Sequence, residues 1–103
     1  YLKWLDEKFV LNNVDSTERV KFILAAYNAG IGHVLDARNL ARKYGKNPDV
    51  WEGNVDYFLL NKSKPEYYKD SVVKFGYCRG EETYNYVKEV MERYDHYRNI
   101  IRP

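Results

Sequence analysis

The sequence predicts one all-α domain, and three observations carry that prediction. Its 103 residues fit a single domain with a small core. Apolar residues recur at helical spacing along most of the chain, and no two alternating segments are joined by a tight turn of the kind that makes a hairpin. Caps and glycines separate the periodic segments. We therefore expect five or six helices.

An apolar stripe and a cap predict the first two helices. Residues 1–10 carry the stripe, so they are expected to form the first helix. Asp15 and Glu18 have the spacing of a capping box, which predicts a second helix from about residue 16 to residue 28. Gly30–Gly32 then forms a tight corner, and the chain turns there into the next helix.

The third and fourth helices are predicted from their ends. The third helix runs to about Tyr44, because Gly45 just beyond it suits a helix C-terminus. The fourth helix is expected to start at Asn47–Asp49. Asn47 or Asp49 can cap it, and Pro48 has its φ preset for a first turn. Its predicted apolar face consists of Trp51, Val55, Phe58 and Leu59.

The second half of the chain reads as a connector, a short helix, a loop and a long helix. Residues 61–65 form a polar connector, and residues 66–69 form a short helix after its proline. Two glycines in residues 75–80 predict an irregular loop. Apolar residues then follow the helical period from about residue 81 to residue 98, which predicts the last helix.

Composition and single residue types exclude several classes of function. Lysine and arginine number 17 against 15 acidic residues, a net charge of +2, so we expect no nucleic-acid partner. Cys78 is the only cysteine, which excludes an intrachain disulfide and a cysteine metal cluster. His33 and His96 lack a partner at ligand spacing and are interpreted as surface histidines. We expect neither a metal nor a cofactor. The remaining carboxylates, interpreted as solvated residues and caps, are Asp36, Asp49, Glu52 and Asp56.

Two motifs stand out at helix ends. Ala25–Gly30, with the sequence AAYNAG, closes the second predicted helix, a pattern that is by itself typical of a core helix with a glycine stop. Glu82 and Tyr86 lie four residues apart and share one face at the start of the last helix. The helix N-terminus stabilises the Glu82 carboxylate, which disfavours it as a general acid and suits it as an acceptor for a ligand hydroxyl or amide.

Together these motifs resemble the lytic murein transglycosylases of the goose-lysozyme-like, family 23 group, and most closely their membrane-bound F type. The resemblance is carried by Ala25–Gly30, by Gly76–Thr83 and by the Tyr-Val pair at Tyr86, and it covers nearly the whole chain. It implies a lysozyme-like helical domain that is truncated at its N-terminal side. Residues 1–103 would be the C-terminal portion of the catalytic domain, so we expect the chain to be a piece of a longer protein.

The resemblance also implies an activity and a place in the cell. The family cleaves the β-1,4 bond between N-acetylmuramic acid and N-acetylglucosamine in peptidoglycan and leaves a 1,6-anhydro end. One glutamic acid acts first as acid and then as base, and the muramyl 6-hydroxyl attacks in place of water. Peptidoglycan glycan strands are therefore the expected partner. The expected location is the periplasm or the outer membrane of a bacterium.

The sequence departs from the family pattern at the catalytic acid. The family's Glu-Ser motif and the Gly-Leu-Met-Gln motif that follows it occur nowhere in these residues. We therefore expect no catalytic residue in this chain, and no activity from the chain alone. The residues that carry over are substrate-binding ones: Tyr27, Asn28, the backbone carbonyl of Ala29, Glu82 and Tyr86. Both tyrosines could instead form hydrogen bonds across the core.

Two further expectations stay open at this level. The alternative function is a non-catalytic helical module that binds glycan or a protein partner. A Glu-Ser followed by Gly-Leu-Met-Gln before Tyr1 would distinguish the transglycosylase from this module. If upstream helices normally pack against these ones, the chain would expose an apolar face and form a homo-oligomer through it.

Overall fold

The computed structural model describes residues 16–101, and their side chains from residue 18 to residue 95. The described part contains the helices α1 (Ser16–Ala29), α2 (Ile31–Lys43), α3 (Asp56–Leu60), α4 (Pro65–Tyr68) and α5 (Gly80–Ile101). No strand occurs between residues 16 and 101, which confirms the all-α class and is consistent with a lysozyme-like domain. The predicted helix over residues 1–10 lies outside the described residues, as does Asp15 of the predicted capping box.

Helices α1 and α2 confirm their sequence predictions closely. Gly30 joins them with a φ of 105°, a conformation that favours glycine, and its N–H donates to the Ala26 carbonyl at 2.8 Å. Ala25 and Ala26 are completely buried, so their small side chains let the neighbouring elements approach the last turns of α1. The motif AAYNAG is therefore a core helix end with a glycine stop, as its pattern indicates.

The core lies where α1, α2, α3 and α5 meet. Phe22 of α1 is completely buried and packs edge-on against Trp51, with ring centroids 5.8 Å apart. The other large buried apolar side chains of the core are Val34, Leu40, Val55, Phe58, Leu59 and Val87. Helix α5 comes so close to α3 that a Cβ on Gly80 would overlap the Leu59 carbonyl group. This close approach fixes where α5 begins.

The predicted start of the fourth helix is wrong. The side-chain oxygen of Asn47 accepts the backbone N–H of Asp49 at 2.9 Å. This hydrogen bond forms a turn at Asn47, so the residue does not cap a helix. An irregular wide turn, Trp51–Val55, follows, in which Gly53 has a φ of 72°. Regular helix begins only with α3. Helical geometry fails because Gly53 takes the left-handed conformation and Glu52, before it, is extended.

Glu18 has a long-range partner that the sequence did not indicate. Its carboxylate accepts the Trp51 N–H at 2.8 Å and the Lys21 ammonium at 3.1 Å. The first of these bonds ties the irregular turn to α1 across 33 residues of sequence. Glu18 therefore stabilises tertiary structure, whatever it contributes to the start of its own helix.

The second half of the chain follows the predicted order of elements. The short helix α4 and the irregular loop before α5 are confirmed, and α5 begins one residue earlier than predicted and extends to Ile101. The polar connector differs from expectation because it enters the interior. Asn61–Ser63 forms one 3₁₀ turn, and the Lys62 side chain within it is completely buried.

Candidate functional site

A cavity of about 270 Å³ lies between the end of α1 and the start of α5. Its lining residues are Asn28, Ala29, His33, Tyr77, Cys78, Arg79, Glu82 and Thr83. The last turn of α1 supplies the first two of these, the first turns of α2 and α5 supply three, and the loop before α5 supplies the rest. The cavity wall is therefore assembled from helix ends and a loop, where polar groups remain available to a ligand.

A hydrogen bond between side chains joins the two helix ends at this cavity. The buried Thr83 hydroxyl donates to the Asn28 Oδ1 at 2.7 Å. Because this bond engages the carbonyl oxygen of the Asn28 side chain, the amide nitrogen of the same exposed side chain can donate to a ligand. Thr83 thus fixes the orientation of the Asn28 side chain and holds α1 against α5.

The structure brings together three of the five predicted substrate-binding residues. Asn28, Ala29 and Glu82 line the same cavity, although Glu82 follows Asn28 by more than 50 residues in the sequence. Glu82 is exposed in the first turn of α5, where its carboxylate can accept hydrogen bonds. Arg79 precedes it on the same wall. The cavity therefore offers both donors and acceptors.

The two predicted tyrosines lie elsewhere. Tyr27 is 60% exposed on α1 and is not among the residues that line the cavity. Tyr86 lies one turn after Glu82, half-buried, and packs against the core. High exposure disfavours a hydrogen bond across the core for Tyr27, whereas the packing of Tyr86 suits that alternative. Contact of either tyrosine with a ligand stays a prediction.

Three charged or titratable side chains form a cluster that the sequence did not predict, and one of them, His33, lines the cavity. The Lys62 ammonium lies 2.8 Å from Asp36 Oδ2 and 2.9 Å from His33 Nδ1. The Lys62 and Asp36 side chains are 0% and 1% exposed. The interpretation of Asp36 as a solvated residue is therefore wrong.

Asp56, which the sequence also predicted to be solvated, is buried as well, so that interpretation is wrong too. Burial raises the pKa of the Asp56 carboxyl.

Asp36 also holds the loop that carries part of the cavity wall. Its two carboxylate oxygens accept the backbone N–H groups of Lys74 and Phe75, each at 2.8 Å. The Phe75 ring lies against Gly32, where a Cβ would come within 2.7 Å of the ring. Gly32 is therefore required for this packing, and the anchored loop then leads directly to Tyr77 and Arg79 in the cavity.

His33 is half-buried and Cys78 is buried, and burial shifts the pKa of each side chain. His33 is half-buried and bonded to Lys62, so its interpretation as a surface histidine is wrong. Burial and the nearby Lys62 ammonium lower the pKa of His33, while Asp36 opposes them. Burial raises the pKa of the Cys78 thiol, so little of the reactive thiolate is present at neutral pH.

Two other kinds of feature are absent from the part of the chain that the structure describes. Between residues 16 and 101, no group of three or more histidine, cysteine or acidic side chains could hold a metal ion. In the same part of the chain, no helix has both the length and the apolar character needed to cross a membrane.

The described residues form an all-helical domain, consistent with a lysozyme-like fold, that has a polar cleft between two helix ends. Curated relatives give this class a more specific identity. Over 90 residues, or 87% of the chain, it is 42% identical to the membrane-bound lytic murein transglycosylase F of Haemophilus influenzae (strain PittGG). The proteins of the same name from Aeromonas hydrophila and Yersinia enterocolitica are 42% and 43% identical over 91% and 87% of the chain.

The chain is therefore homologous to one segment of the proteins named membrane-bound lytic murein transglycosylase F, which confirms the resemblance. That segment amounts to 18% of each of these three relatives. No family model matches the chain.

Proposed function

We propose that this chain is the C-terminal part of the catalytic domain of a peptidoglycan lytic transglycosylase, where it forms one wall of the saccharide groove. The relatives carry that activity in their name, and the chain matches a segment of each. The observation that carries the proposal is the cavity that brings Asn28, Ala29 and Glu82 together from two helix ends.

The chemistry of this wall suits an amino sugar. Sugar rings carry hydroxyl and acetamido groups, which need both donors and acceptors from the protein. Asn28 offers its amide N–H groups, because Thr83 engages its carbonyl oxygen. Glu82 and the Ala29 backbone carbonyl offer acceptors. Tyr27 and Tyr86 belong to the proposal as further contacts along the strand, outside the cavity itself.

The proposed reaction cleaves the bond between N-acetylmuramic acid and N-acetylglucosamine with formation of a 1,6-anhydro end. These residues would bind and orient the strand, and the proton would come from a glutamic acid in a Glu-Ser motif that is not part of this sequence. Because peptidoglycan is the substrate, the proposed location is the periplasmic side of a bacterial envelope. The relatives' names, which include "membrane-bound", agree with an envelope location.

Binding of a defined glycan to the 103-residue chain tests the proposal. The probe is the tetramer of N-acetylglucosamine, and the measurement is a series of ¹H–¹⁵N NMR spectra with increasing ligand. We expect shifts centred on Asn28 and Glu82. The Glu82→Gln variant should bind about tenfold more weakly, because a hydrogen bond to a charged group contributes about 1.5 kcal/mol.

A neighbouring carboxylate provides the matched control. Glu81→Gln removes the same charge from the same first turn of α5, at an exposed residue that does not line the cavity. It should leave the affinity unchanged. Equal losses in both variants would show a general effect of charge, and the absence of any binding by the unmodified chain would overturn the proposal.

Self-association through an apolar face also stays a prediction. Val20, on the exposed side of α1, is 48% exposed although it is apolar. Sedimentation of the chain over a range of concentrations would measure whether copies associate.

A further inference from the structure

Lys62 bridges a buried carboxylate and the histidine on the cavity wall. Its ammonium group donates to Asp36 and lies within hydrogen-bond distance of His33 Nδ1, at 2.8 and 2.9 Å. Asp36 is itself held by two backbone N–H groups of the loop before α5. The three side chains therefore have little freedom to rearrange.

This arrangement determines which nitrogen of His33 carries the proton. An ammonium group has only hydrogens to give, so the nitrogen that faces it must accept. Nδ1 is therefore unprotonated, and in the neutral ring the proton lies on Nε2. Protonation of both nitrogens would set an imidazolium directly against the ammonium, which opposes the charged form.

The second nitrogen of His33 is available to the cavity. The ring is half-buried and lines the cavity beside Ala29 and Thr83. Among the residues that the structure describes, the hydrogen bond of this side chain is the one made through Nδ1. The other groups of the cavity that can carry charge are Arg79 and Glu82, together with the Tyr77 hydroxyl and the Cys78 thiol.

We propose that His33 is a ligand-binding residue whose Nε2–H donates to the acetamido carbonyl oxygen of an amino sugar in this cavity, and that Lys62 and Asp36 hold it in that form. The assignment rests on the proposed function. An acetamido group presents one carbonyl acceptor and one N–H donor. In the proposed complex, His33 donates to the acetamido carbonyl and the Glu82 carboxylate accepts the acetamido N–H.

The electrostatics of the site support this assignment. Burial is the main cause of the lowered pKa of His33, the Lys62 ammonium adds to it, and Asp36 partly offsets it. At a given pH the ring is therefore more often neutral than a free imidazole, which agrees with the arrangement in which Nδ1 accepts from Lys62 and Nε2 carries the proton.

NMR of the ligand-free chain tests the tautomer. The His96→Gln variant leaves His33 as the one histidine of the sequence, so long-range ¹H–¹⁵N spectra contain a single imidazole. We expect a protonated Nε2 and an unprotonated Nδ1 at pH 6.5. A proton on Nδ1, a mixture of the two tautomers or an imidazolium at this pH would overturn the proposal.

Binding tests the role of the donor. His33→Phe keeps a ring of similar shape without a donor, and it should weaken binding of the N-acetylglucosamine tetramer several-fold. His33→Gln places an amide N–H near the position of Nε2 and should restore most of the affinity. The matched ligand is the glucosamine tetramer, which lacks acetamido groups and should bind His33→Phe and the unmodified chain equally.

The outcomes separate the two proposals. If the unmodified chain binds the acetylated tetramer and His33→Phe binds it as tightly, the role of His33 is overturned while the proposed function stands. If the unmodified chain does not bind, the proposed function and the ligand of His33 fail together, and the NMR spectra still decide the tautomer. Circular dichroism of each variant checks that the fold is retained.

Discussion

At the scale of single residues, Lys62 shows how one side chain can contact both the buried interior and a residue of the candidate cavity wall. A buried ammonium group is costly unless it is paired and hydrogen-bonded. Here Asp36 neutralises it, and His33 accepts a further hydrogen bond. The same bonds hold the loop before α5 and orient a ring on the cavity wall. Stability and site geometry therefore depend on the same buried contacts.

Removal of the Asp36 charge should be strongly destabilising. Asp36→Asn leaves Lys62 buried without its counter-charge and places an amide where a carboxylate accepts two N–H groups. We expect a loss of about 3–5 kcal/mol in the free energy of unfolding, measured with urea. The exposed Glu89→Gln on α5 is the control and should change it by less than about 0.5 kcal/mol. A loss below about 1 kcal/mol for Asp36→Asn would contradict the role of this carboxylate.

At the scale of elements, Asp70 joins the end of α2 to the segment after α4. Its carboxylate accepts the Lys43 ammonium at 2.8 Å and the Tyr44 hydroxyl at 3.1 Å. It also accepts the backbone N–H of Val72 at 3.1 Å. These bonds fix the start of the segment between α4 and α5, which Asp36 holds further along at Lys74 and Phe75.

The Asp70 contacts predict a dependence of stability on pH. The Lys43 ammonium and the other donors lower the pKa of Asp70 below its ordinary value of 3.8. A carboxyl with a lowered pKa in the folded state stabilises the fold above its unfolded pKa and ceases to do so as the pH falls through the folded value. We expect Asp70→Asn to be less stable than the unmodified chain at pH 5, and the difference to shrink towards pH 2. Thermal melts at a series of pH values measure it, and a difference independent of pH would argue against this linkage.

At the scale of the whole molecule, the binding wall and the catalytic acid belong to different parts of the proposed enzyme. The chain amounts to 18% of its relatives from Haemophilus influenzae and Aeromonas hydrophila. Its cavity offers hydrogen-bond donors and acceptors, and its one lining carboxylate, Glu82, is exposed at a helix N-terminus. Binding groups are therefore present in this chain, whereas the Glu-Ser motif of the family occurs nowhere in its sequence.

The 103-residue chain should therefore bind glycan without cleaving it. Incubated with purified peptidoglycan, it is expected to release no 1,6-anhydro-muropeptides, as measured by mass spectrometry of the soluble fraction. An active lytic transglycosylase in a parallel reaction shows that the substrate is competent. Release of anhydro products by the chain, abolished in Glu82→Gln, would show that Glu82 is the acid and would refute the expectation.

Local signals predicted the helices well and the irregular turn badly. Helices α1 and α2 follow from apolar spacing and from Gly30, which act within a few residues of the chain. The turn Trp51–Val55 was predicted as helix because its apolar residues fit the helical period. Its true shape depends on the left-handed Gly53 and on the Glu18 carboxylate, which is 33 residues away.

The candidate site likewise contains residues that the sequence predicted and residues that it did not. Asn28 and Glu82 are predicted from the family resemblance that the motifs at two helix ends carry, and the structure places both on one cavity. His33 was missed because a histidine without a ligand-spaced partner gives no signal of its own. Lys62 lies in a run of polar residues that is typical of a connector, so nothing in its neighbourhood indicates complete burial.

The sequence by itself determined the all-α class, the order of the helices and the two helix ends that meet at the cavity. Tertiary structure alone decided which charges are buried and which predicted residues share a wall. The physical reason is distance along the chain. Helical periods and caps act over a few residues, whereas Asp36 meets Lys62 across 26 residues and Phe75 across 39. Such contacts exist only after the helices have packed.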